Sequence, residues 1–331
     1  MKLRFLTPAD TPLASADTQL LEALRAELLK RPDVVEVRDV EEADALILHE
    51  PWAFREWRYI DKLVADPIVG RFPQKVYTLN EDDAAAGLLR GIYTCLQRSR
   101  FDPKLHAAIP FVAQPNEEVA AQAGTPRPPA TLLATWRGNP KSNRKLRQGL
   151  LDVCARSPVF KAESTESWLN HGADEKRRYV ELLRSGKFSL CPGGWAPASM
   201  RVFESMALGV APAILADEFV EPAGPDWHTL SVKVREAELS SLQQTLEARA
   251  ADYMAMGEAA HQAWQAYFRP DRIIPYYADA LLGLIRNTRT DGSAAAEVAR
   301  WRSPQMARLN GWTLPQRIAN KVTRVLEKIG R

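Results

Sequence analysis

No run of about 18 apolar residues occurs anywhere in the 331-residue chain, so no segment reads as a helix that would cross a membrane. The start, Met1-Lys2-Leu3-Arg4-Phe5-Leu6, turns polar at Thr7-Pro8-Ala9-Asp10 before a signal-peptide core could form, and the expected location is the cytoplasm. Cysteine is scarce. Cys95, Cys154 and Cys191 are far apart, odd in number and without Cys-x-x-Cys spacing, which excludes a disulfide framework and a thiolate zinc site; three buried thiols are expected. Neither a Gly-x-Gly-x-x-Gly fingerprint nor a P-loop is present, which argues against dinucleotide binding and ATP hydrolysis. A net charge of +3 with dispersed Lys and Arg offers no basic block for nucleic acid, so no nucleic-acid partner is expected.

Hydrophobic residues at 46% and charged residues at 26% are ordinary for a folded globular protein, and the length favours two cores over one. Strand-like and helix-like segments alternate. Strands are predicted at Lys2–Leu6, Val34–Arg38, Asp44–His49 and Lys75–Leu79, with helices at Ala16–Lys30 and Glu56–Val64. Pro and Gly interrupt the pattern from Gln114-Pro115-Asn116 to Gly124-Thr125-Pro126-Arg127-Pro128-Pro129. Alternation then resumes with strands at Thr131–Trp136, Lys187–Cys191, Ala211–Leu215 and Leu230–Val234, and helices at Asn143–Ala155, Asp174–Arg184 and Ser199–Leu208. Strands separated by helices imply βαβ units and parallel sheets. The division expected is an α/β pair of Rossmann-like domains, residues 1–112 and 131–285, facing across a cleft, with a Pro-rich linker at 113–130 and a helical C-terminal segment at 286–331. In such sheets ligands sit beyond the carboxyl ends of the strands, so the residues that end strands matter most.

One such place is Phe188-Ser189-Leu190-Cys191-Pro192-Gly193-Gly194-Trp195-Ala196-Pro197-Ala198-Ser199-Met200-Arg201-Val202-Phe203-Glu204, a strand, a Gly-rich loop and a helix. Ser199 suits an N-cap, Gly193 and Gly194 permit close approach of a ligand, and the helix start suits a diphosphate. Arg201 and Glu204 share a helix face. A local ion pair is one reading, yet a cation in the first turn opposes the helix dipole, and Arg before Glu is the weaker order. The other reading pairs Arg201 with diphosphate oxygens and Glu204 with ribose hydroxyls. Arg137-Gly138-Asn139-Pro140-Lys141 also follows a strand, which places Arg137, Gly138 and Lys141 at the same edge, either binding the ligand or forming a solvated basic turn.

From Tyr179 to Val234 the chain resembles the exostosin family of glycosyltransferases. The residues that carry the resemblance are Ser185, Phe188-Ser189-Leu190-Cys191-Pro192, Gly194, Ser199-Met200-Arg201-Val202-Phe203-Glu204, Gly209-Val210-Ala211-Pro212, Asp217 and Asp226-Trp227. It departs from the family pattern at Gly186-Lys187, where a residue is added, at Gly193, where a basic residue is common, and at Val210, where Cys is usual. The resemblance implies a GT-B-like fold, a nucleotide-sugar donor and transfer with inversion, and the leading expectation is transfer to a glycan or lipid-linked acceptor in surface polysaccharide or lipopolysaccharide synthesis. A binding module without catalysis, or another nucleotide-sugar enzyme such as an epimerase, stays open as an alternative.

Inverting transfer needs a base from the other domain. His49-Glu50-Pro51 and Asn80-Glu81-Asp82-Asp83 end strands there, which makes Glu50, Glu81 and Asp82 the candidates; Asp82 and Asp83 could equally cap a helix over Ala84–Arg90. No Asp-x-Asp exists to hold a metal through a diphosphate, and Arg137, Lys141 and Arg201 could supply the positive charge instead, so no metal is expected. Near the end of the sequence, Leu314, Ile318, Val322, Val325 and Ile329 form one helical stripe with Arg317, Lys321, Arg324 and Lys328 opposite. Residues 312–331 could therefore lie on an anionic membrane surface or pack on the N-terminal domain.

Overall fold

The computed structural model describes residues 1–51, 58–112, 116–167, 172–288, 293–306 and 318. Two sheets organise the chain. The first is built from β1 (Lys2–Leu6), β2 (Val35–Glu36), β3 (Ala45–His49), β4 (Val76–Asn80), β5 (Arg90–Tyr93) and β6 (His106–Ala108), with helices α1 (Gln19–Leu28) and α2 (Tyr59–Ala65) between strands. After α3 (Glu117–Gln122) comes the second, made of β7 (Leu132–Gly138), α4 (Arg144–Cys154), β8 (Phe160–Ser164), α5 (Ala173–Ser185), β9 (Gly186–Pro192), α6 (Met200–Ala207), β10 (Ala211–Leu215), α7 (Trp227–Leu230) and β11 (Val232–Lys233). Helices α8 (Leu242–Glu247), α9 (Tyr253–Ala263), α10 (Pro270–Asn287) and α11 (Ala294–Trp301) follow.

Strand orders are β2-β1-β3-β4-β5-β6 and β11-β10-β9-β7-β8, and every pairing is parallel. Both are doubly wound, as the alternating pattern predicts, and the paired α/β domains match the GT-B-like arrangement that the resemblance implies. Burial on both faces explains the near-continuous apolar runs: every residue of β3, β4 and β10 is buried. The order in which strands are added reverses between β1 and β3 in the first sheet and between β7 and β9 in the second. These are the crevices where ligands of such sheets bind.

Local sequence sets the helices around the second crevice. Asn143 caps α4 through its side chain, and Leu146, Leu150 and Cys154 form the buried stripe at four-residue spacing. Helix α6 buries Val202, Phe203, Met206 and Ala207 and stops at Gly209, whose φ of 66° is the left-handed turn that glycine adopts without strain. The three cysteines are buried and free, as expected.

The carboxyl ends of the two sheets meet. Backbone N–H of Arg98, after β5, donates to the Glu218 carbonyl, after β10, at 2.9 Å, and Ser99 N–H donates to the Glu218 carboxylate at 2.8 Å. A wide π turn at Trp264–Phe268 then carries the chain back, and α10 packs against α1, β5 and β6. Thus α10, although contiguous in sequence with the second domain, lies by its contacts on the first. Its Tyr277 hydroxyl donates to the Pro110 carbonyl at 2.9 Å. In α11, Trp301 is fully buried with its indole N–H on the Leu88 carbonyl, and Glu297 pairs with buried Arg90 at 3.3 Å. The basic amphipathic segment expected at 312–331 lies outside the described residues apart from Ile318, which is exposed.

Phe203 shows how α6 is tied to this return path, standing edge-on to Phe268 at 5.2 Å and to Trp227 at 6.5 Å. Phe203→Ala is expected to cost about 3–5 kcal/mol in urea unfolding; a loss under about 1 kcal/mol would show that this cluster does not hold the second domain to the return helix.

Candidate functional site

The second crevice gathers most of the donor-side residues singled out in the sequence. Ser199 occupies the N-cap of α6 with extended backbone, but its hydroxyl makes no capping bond. Arg201, in the first turn, points across the end of β7: its guanidinium donates to the Arg137 carbonyl and lies between the rings of Trp136, at 5.8 Å, and Tyr179, at 5.6 Å. Its Nε is buried without a partner. Gly138 makes this placement possible, since a Cβ there would come within 3.0 Å of the Arg201 guanidinium and 3.1 Å of the Trp136 ring.

Glu204 does not pair with Arg201. The Tyr179 hydroxyl on α5 donates to its carboxylate at 2.5 Å instead. Burial raises the Glu204 carboxyl above the ordinary range, and the Tyr179 bond and the Arg201 charge, which act the other way, do not cancel it. The ion pair that the three-residue spacing permits is therefore replaced by two separate contacts, Arg201 to a carbonyl and Glu204 to a phenol.

Gly193 and Gly194 lie in the loop after β9, where their N–H groups are already bonded to the carbonyls of Leu215 and Ala196. Close approach is used from behind. A Cβ on Gly194 would meet the Arg147 guanidinium at 3.0 Å. Arg147, which the sequence reading did not single out, donates from Nε to Gly193 O at 3.1 Å, from Nη1 to Asn139 O at 2.8 Å and from Nη2 to Pro192 O at 3.2 Å. Burial and, after it, the neighbouring Arg201 charge push its pKa down to about 9. Its signal was in the sequence: the first turn of α4 carries no acidic residue and begins Arg144-Lys145-Leu146-Arg147, against the preference of a helix N-terminus.

Arg137 sits at this edge as expected, but its guanidinium binds Glu163 at 2.6 Å, directly opposite in the β7–β8 register. Lys141 lies exposed in the turn that Asn139 caps through Lys141 N–H.

The three acidic candidates stand apart from this set, at the carboxyl ends of β3 and β4. Glu50 is buried; its carboxylate accepts from the Tyr59 hydroxyl and from Asn80 at 2.9 Å, and burial raises its pKa. Asp82 is buried too and caps a turn through Ala84 N–H at 2.8 Å. No helix follows it over Ala84–Arg90; the chain runs as turn and coil into β5 because Arg90 and Gly91 pair with Tyr77 and Thr78. Glu81 keeps 21% of its side chain exposed and faces His49 Nε2 at 3.6 Å, while His49 Nδ1 meets the Asp17 carbonyl at 3.1 Å. Burial lowers the His49 pKa, but Glu81 and the Asp17 carbonyl outweigh it and leave it raised.

The Exostosin GT47 domain profile matches residues 74–249, just over half of the chain, from the residues preceding β4 to just beyond α8. The chain belongs to the exostosin GT47 family. The GT47 match thus takes in Glu81, Asp82 and the whole second crevice, whereas Glu50 falls outside the matched residues. Among GT47 relatives, a probable glucuronosyltransferase of Oryza sativa subsp. japonica is 27% identical over 177 residues, 49% of this chain and 42% of that protein. A probable β-1,4-xylosyltransferase of Arabidopsis thaliana is 28% identical over 172 residues, 47% of this chain and 41% of that protein. The chain spans about two-fifths of the length of these curated relatives. Among solved structures, T4 phage BGT in complex with UDP and Mn2+ aligns with a TM-score of 0.38 and 13% identity, over 86% of this chain and 99% of that one.

The Glu204 geometry yields a stability test. A carboxyl raised in the folded state binds its proton more tightly there than in the unfolded chain. Stability therefore falls as pH rises from the ordinary value of 4.5 through the raised one. Glu204→Gln keeps an acceptor for Tyr179 and removes the buried charge. It is expected to be as stable as the parent, or more so, at pH 7 and to lose that advantage near pH 4, as measured by thermal melts. A clear loss of stability at pH 7 would point to a structural ion pair instead.

Proposed function

We propose that the chain is a glycosyltransferase that moves a sugar from a nucleotide-sugar donor to a glycan or lipid-linked acceptor, with inversion and without a metal, in surface polysaccharide or lipopolysaccharide assembly. One observation carries the reading: in a GT47 domain, at the switch point of the second sheet, Arg201 lies in the first turn of α6 with no carboxylate partner among the described residues. A diphosphate laid against that turn gains the helix-start amides and a guanidinium that no acid has neutralised. The Ser199 hydroxyl, free of its cap, and the Glu204 carboxylate suit the donor's phosphate and ribose hydroxyls. The probable glucuronosyl and xylosyl transfers of the relatives make nucleotide-activated glucuronate and xylose the donors to try first.

For the base, Glu81 is favoured over Glu50 and Asp82. Glu50 is closed in by Tyr59 and Asn80 and lies outside the GT47 match, and Asp82 is buried and holds its own turn, whereas Glu81 lies within the match and is partly exposed. Glu81 would take the acceptor hydroxyl's proton as that oxygen bonds to the anomeric carbon and the bond to the diphosphate breaks. The leaving diphosphate would carry the negative charge to Arg201.

Rates and affinities separate these roles. Arg201→Ala is expected to lower turnover about 10²–10³-fold, more than it weakens donor binding, because its contact strengthens as charge develops. Glu81→Gln should lower turnover about 10²–10⁴-fold with donor affinity intact, and Glu204→Ala should mainly weaken the donor. Normal turnover in both the Arg201 and Glu81 variants would end the proposal.

Metal dependence is tested with excess chelator, in which transfer should persist. Among the described residues no group of three His, Cys, Asp or Glu is placed to hold a metal ion, and guanidinium charge can fulfil the same role at the diphosphate. Complete loss in chelator with rescue by manganese would refute this part.

A further inference from the structure

Among the described residues Arg147 is bonded to no carboxylate; its three hydrogen bonds go to backbone carbonyls at the ends of two strands, β7 and β9. Asn139 belongs to the loop after β7, and Pro192 and Gly193 end β9 and open the Gly-rich loop. These loops flank the crevice, and β7 and β9 are the strands between which the chain order reverses. A planar fork can bridge two loops because its donors leave in fixed, divergent directions, which a single ammonium cannot do. The absence of a side chain at Gly194 lets the fork pass directly behind the loop.

The charge is as informative as the bonds. Arg147 and Arg201 bond to carbonyls two residues apart at the end of β7, those of Asn139 and Arg137, the Arg201 charge helps to lower the Arg147 pKa, and neither forms an ion pair within the described residues. Two like charges in a partly buried crevice, facing only carbonyls and aromatic rings, are unfavourable without an anion.

We propose that Arg147 is a positioning residue of the anion site: it ties the β7 and β9 loops together from behind and adds a second uncompensated positive charge to that of Arg201. This rests on the donor-site reading above and extends it to a half-buried residue of α4. The ligand chemistry is a diphosphate, irrespective of the base attached to it.

The test is calorimetric titration of inorganic pyrophosphate, UDP and GDP into the full chain at several salt concentrations. Arg147→Met is expected to weaken pyrophosphate and whichever nucleotide binds about tenfold or more, by a similar factor for each, with a shallower salt dependence because a charge has been removed. Arg147→Lys keeps the charge and loses the fork, so it should weaken binding less while retaining the parent salt dependence. Gly194→Ala, which crowds the fork in a chain with every charge intact, should also weaken binding without altering that dependence. If Arg147→Met does not fold, the Lys and Gly194 variants carry the test. Parent affinity in Arg147→Met, or in both Arg147→Lys and Gly194→Ala, would overturn the proposal, as would a tenfold loss with an unchanged salt slope in Arg147→Met. Absence of any binding to the parent chain would instead overturn the donor-site reading, so the two failures are distinguishable.

Discussion

Positive charge without a neutralising acid is the constraint around which the second domain is arranged. Arg201 could have paired with Glu204 one helical turn away, but Tyr179 takes that carboxylate. Arg137 has a carboxylate and uses it, which removes it from the crevice as a free cation. Arg201 and Arg147, by contrast, have no carboxylate partner among the described residues, each being anchored on carbonyl dipoles that fix a guanidinium without cancelling its charge. The flanking glycines follow from this: Gly138 leaves room for one guanidinium and Gly194 for the other.

The first domain manages its charge differently. Its acids at the carboxyl ends of β3 and β4 are mostly buried and internally bonded, Glu50 to Tyr59 and Asn80, Asp82 to a turn. Glu81 alone of the three combines partial exposure with a titratable neighbour, His49, at hydrogen-bonding reach of a small movement. The carboxyl edges of the two sheets are in contact through Arg98, Ser99 and Glu218.

Much of this was legible in the sequence, because strands buried on both faces read as apolar runs: β1, β3, β4, β7, β9 and β10 fall where the pattern puts them. The strands that escaped did so for physical reasons. β8 is an edge strand with only Phe160 fully buried, so its Lys161, Glu163 and Ser164 resemble a loop. β5 contains Gly91 at a φ of 152°, where a Cβ would lie 2.1 Å from the Thr78 carbonyl; glycine is required there, and glycine reads as a break. One omission caused another. With β8 unseen, Glu163 could not be recognised as the partner of Arg137, and Arg137 was left to face a ligand. For Arg147 the acid-free, cationic first turn of α4 marks the neighbourhood, and the approach of two loops is what separates it from Arg144 and Lys145 beside it.

The return of α10 and α11 onto the first sheet carries a consequence for synthesis on the ribosome. The apolar surface of α1, β5 and β6 is completed by residues from 270 onward, and that around Leu88 by Trp301. The whole second domain is translated in between, which at ordinary elongation speeds takes about 10–30 s. During that interval the nascent first domain holds an uncovered hydrophobic face, so its earliest encounters are with chaperones or with its own unfinished partner rather than with its final covering.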